Sequence, residues 1–254
     1  MYIKEVLEID NLQYGEITKK FKPKEAKKLF RDGWMEDIDV TPPPSNSSTQ
    51  TKREIEGMVK NMQNLSDEQK KAYINTDHDT SYYIKEYMSN NDLKWEQDDI
   101  ERIIDASKHI GRHYKIEFQR PRPRQVAEKL GIKYDYMKTE TTDSPSYPSN
   151  HALQAKIVAH YYSSIYPEHK TNLHLNAEKS AQGRVDAGVH YPSDKMCAYQ
   201  IADQVMKYFK YTKLEEDAPI NATGSAVSTD VPVVRKKNKY EPSKLFDLIK
   251  KYSK

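Results

Sequence analysis

The chain has 254 residues, enough for one large domain or two small ones, of which 36% are hydrophobic. Its 41 basic and 38 acidic residues leave a formal charge of +3 with no long basic stripe, which argues against a nucleic-acid surface. A mean hydropathy of −0.96 and the lack of any apolar run of about 18 residues leave no candidate membrane span.

Residues 1–40 are charged and mixed, with a short helix expected over residues 24–30 after Pro23. The run from Thr41 through Pro42, Pro43 and Pro44 to Ser48 reads as an extended linker, because consecutive prolines exclude helix. It divides an N-terminal arm, residues 1–51, from a main domain, residues 52–213. Ile55, Met58, Val59 and Met62 follow helical spacing, and Ser66 followed by Asp67 and Glu68 marks another helix start. Residues 80–88 are Tyr-rich and helical. The clearest helix is 95–114, with Ile100, Ile103, Ile104, Ser107, Ile110 and Tyr114 on one face, and it must end by Arg120 because Pro121 and Pro123 follow. A connection over 124–147 holds a short helix at 125–130. Further helices are expected at 151–166, at 171–182 and from Ser193 onward, the last carrying Cys197 as a small core residue. Residues 214–254 read as a linker ending in an amphipathic helix over 244–252. Strand signals are absent, so the expected fold class is all-α, a helical bundle.

Three segments carry chemistry. The first runs from Lys115 to Pro123 and sets cations beside stiffening prolines. The second, Ser-Tyr-Pro-Ser-Asn-His-Ala over residues 146–152, is a tight turn entering a helix, whose unpaired N–H groups suit an anion. The third, residues 183–194, brings Arg184, His190 and Asp194 into one short stretch. Arginine offers a planar fork for phosphate oxygens, and a carboxylate can fix the tautomer of a nearby imidazole.

In order, these segments read Lys-x6-Arg-Pro, Pro-Ser-x-His and Arg-x5-His-x3-Asp. The pattern, over roughly residues 95–210, resembles the type 2 phosphatidic acid phosphatase superfamily, which includes bacterial class A acid phosphatases and vanadium-dependent haloperoxidases. The second and third segments look more like the soluble acid phosphatases than the membrane lipid phosphatases. The resemblance implies an all-α phosphatase that needs no metal. Lys115, Arg122 and Arg184 would clamp phosphate oxygens, with Ser149 and the backbone N–H of Asn150 completing the cradle. His190 would attack phosphorus to form a phosphohistidine, Asp194 would orient it, and His151 would serve as general acid and then base. Two positions depart from the pattern: Gly183 stands where the family usually has Ser, and Asn150 where it usually has Gly. The first removes a hydroxyl; the second sets a side chain where backbone approaches the anion.

Singly, Lys115, Arg122, His151 and Asp194 read as ordinary surface or cap residues, while Arg184 and His190 read evenly either way; jointly and in register, they read as a site. His78, His109, His113, His160, His169 and His174 are left as surface or core residues. The Asp77, His78, Asp79 run looks like a chelate but is assigned no metal, and no cofactor is expected. The same cradle could hold vanadate, giving a haloperoxidase as the alternative, and a third reading is a structural or interaction protein retaining the fold. Expected partners are a small phosphorylated substrate and, through the N-terminal arm and the C-terminal helix, a second copy or an assembly partner. Residues 1–8 lack the core of a secretory signal and one cysteine permits no internal disulfide, so the expected location is cytoplasmic. The Lys-, Asn- and Tyr-rich composition fits a bacteriophage or intracellular bacterial source.

Overall fold

A computed structural model describes residues 3–15, 26 and 29–210, all within one compact unit. The tail and helix expected over 214–254, and most of the helix expected over 24–30, lie outside the described residues. Among the described residues the fold is all-α, and Phe30 and Phe209 form an isolated β-bridge.

Among the described residues, ten α-helices follow in order: α1 (Ile3–Asp10), α2 (Trp34–Asp37), α3 (Thr49–Gln63), α4 (Asp67–His78), α5 (Tyr82–Asn90), α6 (Gln97–Phe118), α7 (Pro123–Lys129), α8 (Asn150–Ile165), α9 (Lys170–Asp186) and α10 (Pro192–Val205). Their ends follow from local chemistry. Ser48 caps α3 by accepting from Thr51 N at 3.1 Å, and Ser66 and Gln69 form a reciprocal capping box on α4. Pro123 and Pro192 open α7 and α10 at positions whose N–H would go unused. Helix α9 outruns the expected 171–182 because nothing breaks it before Gly188, at φ +77°, so Arg184 sits in its last turn rather than on a loop.

Helix α8 is the axis of the bundle. It is buried on nearly all sides from His151 to Tyr162 and packs against α6, α9 and α10, as a helix apolar all round must. The main core joins Ile100, Ile103 and Ile110 of α6 to Leu153, Ile157 and Val158 of α8 and Ile201 and Val205 of α10. A smaller core joins Ile9, Ile55, Met58, Val126, Val185 and Tyr191.

The segment ahead of the proline run contributes to both cores. Trp34 and Phe30 are buried in the larger one, and Ile9 in the smaller. The Asn46 side chain donates to Ile9 O at 3.0 Å and Leu12 O at 2.9 Å, tying the end of the linker back to α1. Helix α1 was not expected, since eight residues with one deeply buried side chain give little periodic signal.

This packing sets a stability prediction. Ile157→Ala in α8 should cost about 2–5 kcal/mol in urea unfolding, whereas Leu7→Ala, at a residue 56% exposed, should change stability by less than about 0.5 kcal/mol.

Candidate active site

Helix ends converge on one buried region, and their positions follow from pattern. The buried stripe of α6 runs through Ser107, Gly111 and Tyr114 and ends on Lys115, so helical spacing carries an ammonium inward. The chain then passes Arg120 and Arg122 into α7. Ser149 caps α8, with Asn150 and His151 in its first turn. Arg184 closes α9, and His190 lies in the turn before α10, whose first turn holds Asp194. Lys115, Arg122, Ser149, His151, Arg184, His190 and Asp194 are all buried.

His190 is held from both sides. Its Nδ1 lies 3.1 Å from Asp194 Oδ2, and Arg122 Nη1 lies 3.0 Å from its Nε2. A guanidinium can only donate, so Nε2 is the acceptor and the proton sits on Nδ1. The ring is therefore neutral with its Nε2 lone pair facing the cations. Burial, then Arg122, keeps its pKa well below the usual histidine range.

Asp194 is the most heavily bonded group here. Its Oδ2 also accepts from Tyr191 N at 2.9 Å and from the Ser146 hydroxyl, and its Oδ1 accepts from Arg120 Nη1 at 2.7 Å. Burial pushes its pKa up, but Arg120, His190 and Ser146 outweigh it, so the carboxyl stays ionised far into acid.

The other half of the site centres on a residue that the sequence reading left unassigned. Asp77, at the end of α4, points inward: Oδ1 lies 2.8 Å from Arg184 Nη1, and its backbone carbonyl lies 3.2 Å from His151 Nε2. Its carboxylate also accepts from the Thr141 hydroxyl at 2.5 Å and from Glu140 N at 2.7 Å. His78 is exposed near Glu140, and Asp79 accepts from Ser81, so the three consecutive residues diverge. Burial, and then Arg184, holds the His151 pKa down to about 3, while Asp77 pulls it up.

The three cradle cations sense one another. Lys115 is pushed well down by burial and then by Arg122 and Arg184, and burial lowers Arg122 to about 10, with Arg184 adding to the shift. Arg122 also contributes to the depression of His151. Both imidazoles and all three cations therefore share one electrostatic neighbourhood. Each cation donates to the loop over 139–146: Lys115 Nζ to Pro145 O, Arg122 Nε to Ser144 O at 2.7 Å, and Arg184 Nη2 to Thr141 Oγ1 at 3.0 Å. Ser149 Oγ accepts from Ala152 N at 3.4 Å as the helix cap, which leaves its own proton to donate.

The two departures from the motif have steric counterparts. A Cβ on Gly111 would lie 1.8 Å from Asn150 Oδ1, so the Asn150 side chain lies in a notch on α6. A Cβ on Gly183 would meet Tyr73 Cδ1 at 2.6 Å, and the Tyr73 hydroxyl donates to Asp186 at 3.0 Å.

No protein-family model matches the chain, and no curated protein does. Among solved structures, the first transmembrane PAP2 type phosphatidylglycerolphosphate phosphatase from Bacillus subtilis is similar at 14% identity with a TM-score of 0.34. That match covers 78% of this chain and 86% of the other. At that level the likeness carries no argument about function. No helix among the described residues is long and apolar enough to cross a membrane.

Two predictions follow from this geometry. Gly111→Ala gains about 1 kcal/mol of helix propensity but collides with Asn150, so it should lose about 1–3 kcal/mol net; adding Asn150→Gly should recover most of the loss in urea unfolding. His151 binds protons less readily folded than unfolded, so stability should fall as pH drops from 6.5 toward 3. At pH 5 the cost is about 2 kcal/mol for such a ring, and His151→Asn should remove about that share of the fall measured between pH 7.5 and 5, with the buried His174 and His190 rings contributing the rest.

Proposed function

We propose that this site hydrolyses a phosphomonoester through a phosphohistidine, without a metal. The observation that carries the reading is the state of His190: a neutral imidazole, its Nδ1–H held by an ionised carboxylate and its Nε2 lone pair facing buried cations. That is the protonation state a nitrogen nucleophile requires.

Phosphoryl transfer needs positioning and charge balance more than covalent help. Lys115, Arg122 and Arg184 would take the non-bridging oxygens, with the Ser149 hydroxyl and the Asn150 N–H completing the cradle at the start of α8. As the phosphate enters, Arg122 moves its N–H from Nε2 onto a phosphate oxygen and frees the lone pair. Nε2 bonds to phosphorus as the ester P–O bond breaks, and the leaving alkoxide takes a proton from His151. The ring, now cationic, keeps its Nδ1–H on Asp194. Neutral His151 then removes a proton from water, water oxygen bonds to phosphorus, and the P–N bond breaks to release phosphate. The carboxylate of Asp77, 4.0 Å from His151 Nε2, supports the protonated form of that ring.

Purified protein should hydrolyse p-nitrophenyl phosphate in the presence of EDTA. His190→Ala should abolish turnover. His151→Ala should slow it by about 10²–10⁴-fold and accumulate an acid-labile, base-stable phosphoenzyme, since p-nitrophenolate leaves without help but the second step lacks its base. An inactive folded wild type, or an active His190→Ala, would sink the reading.

A further inference from the structure

Asp194 faces His190 through Oδ2, and a buried guanidinium touches the same carboxylate through its other oxygen. Oδ2 serves the Nδ1–H of His190, the Tyr191 amide and the Ser146 hydroxyl; Oδ1 receives Arg120. Arg120 is 2% exposed, and its guanidinium carbon sits 3.8 Å from the centre of the Tyr191 ring. It lies two residues ahead of Arg122 but does not point at the cradle. Nη1 donates to Asp194 Oδ1 at 2.7 Å and to Ser193 Oγ at 2.8 Å, and Nη2 lies 3.6 Å from Glu54 Oε2. Glu54, on α3, in turn accepts from Ser193 N at 3.1 Å and from the Ser193 hydroxyl at 2.8 Å.

We propose that Arg120, anchored by Glu54 and Ser193, is the positioning residue that holds Asp194 in register with His190. The proposal deepens the phosphohistidine reading and rests on it for its kinetic consequence. A fully buried ion pair adds little net stability over apolar packing, so placing one on the carboxylate that touches the nucleophile points to orientation rather than to stability. Arginine suits the task because one rigid plane reaches Asp194, Ser193 and Glu54 while stacking on Tyr191. A lysine at the same site is a point charge that cannot span all three. With Oδ1 fixed, the carboxylate cannot rotate, and Oδ2 stays on the Nδ1–H. With Oδ1 released and Arg122 drawn from Nε2 onto a bound phosphate, the carboxylate can turn and the ring can exchange tautomers, which would present N–H instead of a lone pair at Nε2.

The test uses the full chain with Arg120→Lys, Arg120→Met and Glu54→Gln, each checked for folding by thermal melting. Arg120→Lys should lower kcat for p-nitrophenyl phosphate by about 10–100-fold, with KM and the inhibition constant of inorganic phosphate held within about threefold, because the cradle is untouched. Glu54→Gln should lower kcat less and in the same pattern. It also serves as the second variant if Arg120 replacements fail to fold. Independently of turnover, with inorganic phosphate bound so that Arg122 leaves Nε2, the ring ¹⁵N shifts of His190 should report the Nδ1–H tautomer in the wild type and a mixture in Arg120→Met. Wild-type kcat in Arg120→Lys with an unchanged tautomer in Arg120→Met would overturn the proposal. So would a kcat loss matched by an equal rise in the phosphate inhibition constant, which marks general distortion. If the wild type has no phosphatase activity, the ring shifts decide alone. An Arg120-dependent tautomer keeps the positioning role while the hydrolytic reading falls, and an Arg120-independent tautomer ends both.

Discussion

Buried positive charge is the constraint on which the rest of this site depends. Lys115, Arg120, Arg122 and Arg184 are each almost fully removed from water within one helical bundle. Isolated charges in such surroundings cost several kcal/mol each unless ion pairs and hydrogen bonds repay them. Two buried carboxylates do most of this repayment and divide the site between them. Asp194 answers Arg120, and Asp77 answers Arg184. The remaining cations take backbone carbonyls: Lys115 donates to Pro145 and Arg122 to Ser144, both in one loop, and Arg122 also to Val189 in the turn before α10. Charge balance thus dictates that the loop over 139–146 lies where it does, and it ties the end of α4 to the end of α9.

The same accounting explains why helix termini, rather than helix faces, build the site. A terminus brings unpaired N–H or C=O groups and can hold a charge within one turn of an unconstrained loop. Lys115 lies near the C-terminus of α6 and Arg184 in the last turn of α9, both positions that favour a cation. Asp194 lies in the first turn of α10, where an anion is favoured, and its Oδ2 satisfies the backbone N–H of Tyr191. The Asp194 carboxylate is at once a helix cap, an ion-pair partner and the acceptor for His190.

Much of this was legible in the sequence, for identifiable reasons. The all-α class and the long helices α3, α6, α8 and α10 announced themselves through apolar periodicity, and the start of α4 through Ser66. Lys115, Arg122, His151, Arg184, His190 and Asp194 were singled out by spacing, and the structure places them in one region. Asp77, Arg120, Glu54 and Tyr73 were not assigned any part in that region. Each acts through a partner more than forty residues away in sequence, such as Asp77 with Arg184 or Glu54 with Ser193, and no local pattern encodes such a pairing. Asp77 was even conspicuous, but beside His78 and Asp79 it suggested a chelate; only the helical turn that sends His78 outward and Asp77 inward resolves the three. Helix α1 escaped because its short length gives too little periodicity to read.

The field that builds the cradle also sets the resting state of His151. Burial, Arg184 and Arg122 all disfavour a proton on that ring, and the Asp77 carbonyl and carboxylate only partly oppose them. Under the proposed mechanism the general acid must be protonated, so a phosphate group would have to bring the proton's support with it. A bound phosphate dianion would supply negative charge beside the same guanidinium groups, cancel much of their repulsion toward an imidazolium, and leave the support from Asp77 less opposed. On that reading, substrate binding and proton uptake at His151 would be coupled by electrostatics, and the proton would arrive with the group whose ester oxygen needs it. Once the alcohol had departed with that proton, the ring would be neutral again and able to take one from water.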